Sequence, residues 1–145
     1  IEYIKMQKTE IKYRVPYADT DQMGVVYYAN YLVYFERLRN ELLREAGKAY
    51  PQIEAEGIIL PVIEAHCNYH YPAKYDDLLT IRGWIAEIKG AKIKIFCEVR
   101  KEEQLLAEGW TIHACVNIKS KRPIRVPEFF KNMTLCGAVD VPATS

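Results

Sequence analysis

The sequence predicts an α+β fold in which one long helix packs against a single curved antiparallel sheet. Apolar residues recur at three- and four-residue steps over residues 28–46, which is the helical period. Residues 62–71 and 92–100 instead alternate apolar with polar side chains, which is the period of a strand. Because 145 residues suffice for one core and no repeat divides them, we expect a single domain over residues 1–145.

The first predicted elements are a strand over about residues 8–15, a turn-rich segment over residues 16–24, and then the helix. Gly47 follows the helical pattern and is expected to end the helix, because glycine adopts the left-handed conformation at little cost. The apolar face of the helix comprises Tyr28, Tyr31, Leu32, Phe35, Leu38, Leu42 and Ala46.

Four strands are predicted after the helix. In residues 62–71 the odd-numbered side chains are apolar or aromatic, so we expect a half-buried strand. Residues 78–88 and 92–100 flank Lys89-Gly90-Ala91 and form a predicted hairpin. A strand over residues 105–119 completes the sheet. One face of that last strand comprises Trp110, Ile112, Ala114, Val116 and Ile118.

An open sheet of this kind has edge strands whose unpaired backbone groups must be covered. Two copies joined edge to edge in a symmetric dimer would cover them. We therefore expect a homodimer, assembled further into a homotetramer.

Composition narrows the class of protein. The formal net charge of +1 provides no overall field for nucleic acid or an anionic membrane, so neither is an expected partner. No apolar run approaches the roughly 18 residues of a membrane span, and the N-terminal residues have no signal-peptide core. We expect a cytoplasmic protein. Its cysteines form no C-x-x-C pair and are expected to be reduced core thiols: Cys67, Cys97, Cys115 and Cys136.

The segment from Tyr17 to Tyr31 carries the most specific pattern. It reads YADTDQMGVVYYANY and resembles the D-x-D-x-x-G-x-V-Y-x-x-N-Y signature of hotdog-fold thioesterases, in the 4-hydroxybenzoyl-CoA thioesterase-like family. The resemblance implies a long central helix wrapped by a five-stranded antiparallel sheet. It extends to three further segments: Tyr34-Phe35-Glu36-Arg37, Tyr71-Pro72-Ala73-Lys74-Tyr75-Asp76-Asp77, and residues 122–128.

The resemblance implies an acyl-CoA thioesterase with Asp21 as its catalytic carboxylate, acting as general base on water or as nucleophile. The backbone N–H of Tyr28 would bind the carbonyl oxygen, Gly24 would let the backbone come close, and Tyr17 would have a supporting role. Many relatives carry histidine where this chain has Tyr28, which leaves only the backbone role. Helix N-termini do present free N–H groups to developing negative charge.

Coenzyme A enters as part of the substrate, and no separate cofactor or metal is expected. Lys89, Lys92 and Lys74 are candidates for binding its phosphates, although a solvated charged rim accounts for such lysines equally well. The same ambiguity applies to further basic residues: Lys94, Lys119, Lys121, Arg122 and Arg125.

Other interpretations remain open. Asp19 is expected to be a turn or capping residue, because Asp is favoured there. A metal site at the strand histidines is a minor alternative: these are His66, His70 and His113. The family's fold also serves acyl-thioester hydratases or dehydratases, which use a histidine with a carboxylate, and non-catalytic modules that bind acyl-CoA or acyl-carrier protein.

Overall fold

A five-stranded antiparallel sheet packs one face against a long helix in the computed structural model, which describes residues 8–131. The elements in chain order are β1 (Thr9–Arg14), a 3-10 turn (Tyr17–Asp19), α1 (Asn30–Glu45), α2 (Tyr50–Ala55), β2 (Ile58–Ile59), β3 (Val62–Tyr69), β4 (Leu78–Lys89), β5 (Lys92–Lys101), β6 (Gln104–Ala114) and β7 (Val116–Asn117).

The strand order in the sheet is β1-β4-β5-β6-β3. The predicted hairpin is confirmed: β4 and β5 pair with Lys89 opposite Lys92, and Gly90 has a φ of 62° in the turn. β6 continues the meander beside β5, whereas β3 lies at the far edge and, within residues 8–131, has β6 as its one partner in the sheet. The α+β hotdog architecture, with one long helix and a five-stranded antiparallel sheet, is confirmed.

The helix α1 packs on the sheet at Gly83 of β4, which has no side chain. A Cβ placed on Gly83 would lie 2.4 Å from the Phe96 carbonyl oxygen of β5 and 2.6 Å from Cδ1 of Leu38, so a larger residue there would clash with the neighbouring strand and with the helix side chain. Gly47 has a φ of 112° just after the helix, in agreement with its predicted role as the stop. The buried residues of α1 are Tyr31, Tyr34, Phe35, Leu38, Leu42 and Leu43.

Two strand predictions are wrong about burial. β3, at the sheet edge, was expected to be half-buried but is exposed along almost its whole length. On β6, Thr111 and His113 are buried, whereas Trp110 and Ile112 lie on the opposite face. Polar side chains therefore occupy the core side of this strand, and the apolar alternation indicated the other side.

Three short elements were not predicted. α2 begins at Tyr50, with Pro51 in its first turn, where the missing N–H of proline costs nothing. β2 and β7 form a separate two-stranded ladder, so the predicted strand over residues 105–119 is in fact interrupted after Ala114. α2 contacts α1, and β2 contacts α2.

None of the helices within residues 8–131 has the length and apolarity needed to cross a membrane. Cys97 and Cys115 are buried free thiols and Cys67 is a partly buried one, as predicted for core cysteines. Cys136 and the first seven residues, for which we also made predictions, lie outside the described residues.

His113 is buried in the core and makes two hydrogen bonds there. Its Nδ1 lies 3.0 Å from the Leu60 carbonyl oxygen, which can only accept, so Nδ1 carries the proton and Nε2 accepts from the Thr111 hydroxyl at 2.8 Å. Burial is the main reason that the pKa of His113 falls from its ordinary 6.5 to about 4, and the nearby Arg39 lowers it further.

This depressed pKa predicts a loss of stability in mild acid. Between pH 6.5 and 4 the unfolded chain binds a proton at residue 113 that the folded chain does not, so the free energy of unfolding falls as the pH falls. The loss attributable to His113 should total about 3 kcal/mol. Urea unfolding across this range would measure it. In His113→Asn, which keeps a donor but does not titrate, the loss attributable to residue 113 should be absent. Parallel curves of the free energy of unfolding against pH for the two proteins would contradict the assignment.

Candidate active site

The turn-rich segment before α1 folds into a tight turn that carries Asp21. The Asp21 N–H donates to the Val25 carbonyl at 2.9 Å, and the Gly24 N–H donates to the Asp21 carbonyl at 3.0 Å. Oδ1 of Asp21 also accepts from the N–H groups of Met23 and Val25, at 2.9 and 3.4 Å. Among residues 8–131 the other carboxylate oxygen, Oδ2, has no donor. Asp21 is half-buried. Its Oδ1 is fixed by the turn, and its Oδ2 is not used by the turn.

Gly24 serves the turn by its conformation. Its φ is 81°, in the left-handed region that favours glycine, and a Cβ added there would meet no atom of the described chain within 4 Å. The fold thus requires glycine here for backbone geometry and not for close packing. Its predicted role in letting the backbone approach a substrate stays a prediction.

The side chain of Asp19 forms hydrogen bonds with residues of β1 and α1. Its Oδ2 accepts hydrogen bonds from the hydroxyls of Tyr13 and Tyr34, at 2.7 and 2.8 Å. Its carbonyl accepts from the Tyr27 N–H and from the Asn30 side chain, both at 2.9 Å. Asp19 does lie in the 3-10 turn, as expected of a turn residue, and its side chain in addition links this segment to β1 and α1.

Tyr28 stands where the turn enters the helix. It comes two residues before the first residue of α1, and its N–H has no hydrogen-bond acceptor among the described residues. Its carbonyl accepts from the Tyr69 hydroxyl at 3.0 Å and from the Tyr31 N–H at 3.3 Å. Hydrogen bonds to its carbonyl oxygen thus hold the Tyr28 main chain in place. Its own N–H, at the electropositive end of the helix, is available to bind an anion.

A pocket of about 270 Å³ opens beside this helix end. Its walls are mostly aromatic: Val26, Tyr28, Tyr31, Tyr69, His70, Tyr71 and Pro72. Tyr69 lies edge-on to Tyr31, with ring centroids 5.2 Å apart. Burial is the main cause that raises the pKa of Tyr69 to about 12, which keeps its hydroxyl a donor.

The pocket contains only one of the predicted site residues, Tyr28. Asp21 is not among its walls, but Val26 is, and Val26 belongs to the returning arm of the Asp21 turn. The Val26 N–H donates to the Ala73 carbonyl at 2.8 Å, which attaches that arm to the segment after β3. Tyr17 lies apart from the pocket: it is 77% exposed and packs edge-on against Tyr75.

The three candidate phosphate-binding lysines do not come together within one chain. Lys74 pairs with Val25 near the Asp21 turn, before β4 begins. Lys89 and Lys92 lie at the other end of β4, roughly 35 Å away for a strand of this length. A single chain therefore offers two separate basic positions, one at each end of the strand.

The histidines are occupied by other contacts. His66 stacks on Trp110 with ring centroids 4.2 Å apart, and His70 lies 2.8 Å from the Glu108 carboxylate. His113 is bound in the core as described above. Over residues 8–131 no three His, Cys, Asp or Glu side chains gather closely enough to share a metal ion.

Sequence reasoning missed the wall that the end of β3 contributes to the pocket. Tyr69 and Tyr71 were assigned to strand packing, and His70 to the exposed face. The available signal was the family-like segment that begins at Tyr71, which follows β3 directly. That signal located the segment but not the side of the sheet on which its aromatic rings lie.

Comparison with known proteins identifies the family of this chain. The Thioesterase-like superfamily matches residues 15–133. A putative acyl-CoA thioesterase, YneP of Bacillus subtilis, is 33% identical over 126 residues, which cover 86% of this chain and 90% of the relative. The acyl-CoA thioester hydrolase YbgC of Escherichia coli is 34% identical over 117 residues, covering 79% and 87%.

Among solved structures, a probable thioesterase from Bartonella henselae superposes with a TM-score of 0.77 at 33% identity, covering 83% of this chain and 100% of that one. A thioesterase with a hotdog fold is the class that the fold and these relatives define. The chain belongs to the Thioesterase-like superfamily.

The geometry of Gly24 yields a prediction about stability. Gly24→Ala should lower the free energy of unfolding by about 1 to 2 kcal/mol, because alanine is strained at a φ of 81° and gains no contact in return. Gly24→Asn should lose less, since asparagine tolerates this conformation better. Urea denaturation measures both, and an alanine variant as stable as the parent would show that the turn rearranges.

Proposed function

We propose that this thioesterase hydrolyses acyl-CoA to a free acid and coenzyme A, with Asp21 as the reacting carboxylate and the Tyr28 N–H as the donor to the carbonyl oxygen. The observation that carries the residue assignment is the connection between them: one hydrogen-bonded turn presents a free carboxylate oxygen and leads, seven residues later, to a free N–H at the start of α1. The activity itself rests on family membership and on relatives named acyl-CoA thioesterases.

The chemistry needs few groups. Water, activated by Asp21, or Asp21 itself attacks the thioester carbonyl carbon, and the negative charge that develops on oxygen lies beside the Tyr28 N–H. The carbon–sulfur bond then breaks and the thiolate leaves. Because a thiol has a pKa near 8.5, this leaving group requires no strong acid. If water attacks, the acid forms in this step; if Asp21 attacks, its carboxylate is left as a mixed anhydride with the acyl group, and a water molecule then hydrolyses that anhydride and restores Asp21. Either path consumes one water and yields the acid and the thiol, and coenzyme A takes part only as substrate.

We extend the proposal to a homodimer formed through β3. The free edge of β3 faces no other strand in the described residues, and its side chains are exposed, including Val62, Ile63 and Tyr69. An uncovered apolar edge strand is a site for pairing with another chain. Tyr69 also lines the pocket, so a partner paired along β3 would lie next to it.

A homotetramer is the further step that we predict from the sequence. Its support is the face of the sheet opposite α1, where Trp84, Phe96 and Trp110 lie in register on three adjacent strands; Trp84 and Phe96 are buried, and Trp110 is the partly exposed member of this row. A cytoplasmic location completes the proposal. It is consistent with the free thiols at Cys67 and Cys97.

Removal of the Asp21 charge should abolish most turnover. Asp21→Asn keeps an oxygen that can accept from the Met23 N–H, so the turn should persist while the reacting group is lost. We expect kcat on acyl-CoA substrates to fall at least about 100-fold. Thiol release, followed with short, long and aromatic CoA esters, measures it and also identifies the preferred acyl group.

Asp76→Asn is the matched control, because it removes an exposed carboxylate at a residue whose φ of 70° asparagine tolerates. It should retain the activity of the parent. Near-parental turnover in Asp21→Asn would refute the assignment of the carboxylate.

The His70–Glu108 pair beside the pocket is the kind of pair that the hydratase alternative needs, and hydration of an enoyl-CoA would reveal that reaction.

The proposed dimer can be tested at Ile63, which is 51% exposed on β3. Ile63→Lys places an unpaired charge in the proposed interface and should raise the dimer dissociation constant at least about tenfold. Leu78→Lys, at an exposed apolar residue of β4, is the control and should not change it. Analytical ultracentrifugation at micromolar concentration resolves monomer, dimer and tetramer; a monomeric parent protein would exclude the interface.

A further inference from the structure

The Asp19 carboxylate joins two elements that are far apart in sequence. One oxygen, Oδ2, accepts from the hydroxyl of Tyr13 on β1 at 2.7 Å and from that of Tyr34 on α1 at 2.8 Å. Burial, followed by the hydrogen bond to Asp19, raises the pKa of Tyr13 to about 12, and the same causes raise that of Tyr34. Both phenols therefore stay protonated and donate.

The main chain of Asp19 makes a second connection, to the entrance of the helix. Its carbonyl oxygen accepts from the Tyr27 N–H and from the Asn30 side chain, each at 2.9 Å. Tyr27 and Asn30 flank Tyr28 on both sides. Asp19 is therefore bonded to the neighbours of the proposed oxyanion donor, and it lies two residues before Asp21.

We propose that Asp19 is a positioning residue, which holds the Asp21 turn at a fixed separation from the Tyr28 N–H. The inference rests on the proposed function, because it assigns the catalytic roles to those two groups. A carboxylate and an N–H must lie on opposite sides of one reacting carbonyl, and an error of about 1 Å in such placement costs on the order of 100-fold in rate. Four hydrogen bonds to a single residue supply this rigidity.

The two tyrosines allow the geometry to be tested without touching either catalytic group. Tyr13→Phe and Tyr34→Phe each remove one hydroxyl and leave the ring and the Asp19 charge in place. Neither hydroxyl lines the pocket. Each variant should lower kcat about tenfold, with KM changed less than about twofold, because the substrate still binds while the reacting groups are misplaced.

Substitution of Asp19 itself separates its oxygen from its charge. Asp19→Ala loses both tyrosine contacts and should match the Tyr13→Phe, Tyr34→Phe double variant in kcat. Asp19→Asn keeps an oxygen that can accept from both hydroxyls, although a neutral acceptor binds them more weakly. It should therefore retain more activity than Asp19→Ala, which is the rescue expected of a positioning role.

Tyr50→Phe is the matched control. It removes a part-buried hydroxyl that accepts from the Leu60 N–H at 3.2 Å, far from the Asp21 turn in the chain. It should leave kcat unchanged. If Tyr50→Phe lowers kcat as much as the other two do, or if those two retain parental kcat, the positioning role is overturned.

Amide hydrogen exchange at Asp21 and Gly24 provides a readout that does not depend on activity, because both amides are bonded within the turn. Exchange there should accelerate at least about tenfold in Tyr13→Phe and Tyr34→Phe and stay parental in Tyr50→Phe. Accelerated exchange in a protein that hydrolyses no acyl-CoA would reject the proposed function and retain Asp19 as the anchor of the turn. Parental exchange in all variants would reject the anchor.

Discussion

The packing of α1 on the inner face of the sheet is the constraint from which the rest of the site follows. Six buried side chains of the helix and the bare backbone at Gly83 fix how closely and at what point the helix crosses the strands. Burial of a leucine or phenylalanine contributes about 2 kcal/mol each, so this contact dominates the local energetics. Once the helix is placed, its N-terminal end is placed as well, and that end provides the free N–H at Tyr28.

Hydrogen bonds then attach the segment with the proposed catalytic carboxylate to that fixed end. The turn around Asp21 is closed by its own backbone and by Gly24, so it needs little from the rest of the chain to keep its shape. Its placement is a separate matter, because a rigid turn can still swing as a unit. Asp19 on one arm and Val26 on the other connect the turn to α1 and to the segment after β3, and the carboxylate is thereby located relative to the pocket.

Local sequence patterns predicted most of the fold. They failed where contacts between residues distant in sequence determine which side chains are buried or hydrogen-bonded. The helix, its stop at Gly47 and the hairpin at Gly90 each depend on neighbours in sequence, and all were predicted. The buried face of β6 was not, because His113 and Thr111 become acceptable core residues only through each other and the Leu60 carbonyl. The motif predicts that Asp21 and Tyr28 act as a pair, which stays a prediction, and it could not reveal that Asp19 would meet two tyrosine hydroxyls, since Tyr13 and Tyr34 lie outside the motif.

The exposed edge strand β3 and the open pocket are adjacent parts of one surface. β3 ends at Tyr69, whose hydroxyl bonds the carbonyl of Tyr28, so the sheet edge and the helix end form adjacent walls of one cleft. A single chain leaves both the edge and the aromatic pocket open to solvent, where bare backbone and apolar rings are costly. A strand paired with β3 would satisfy the backbone and exclude water beside the reacting carbonyl. In the proposed dimer, assembly and catalysis would therefore depend on the same surface.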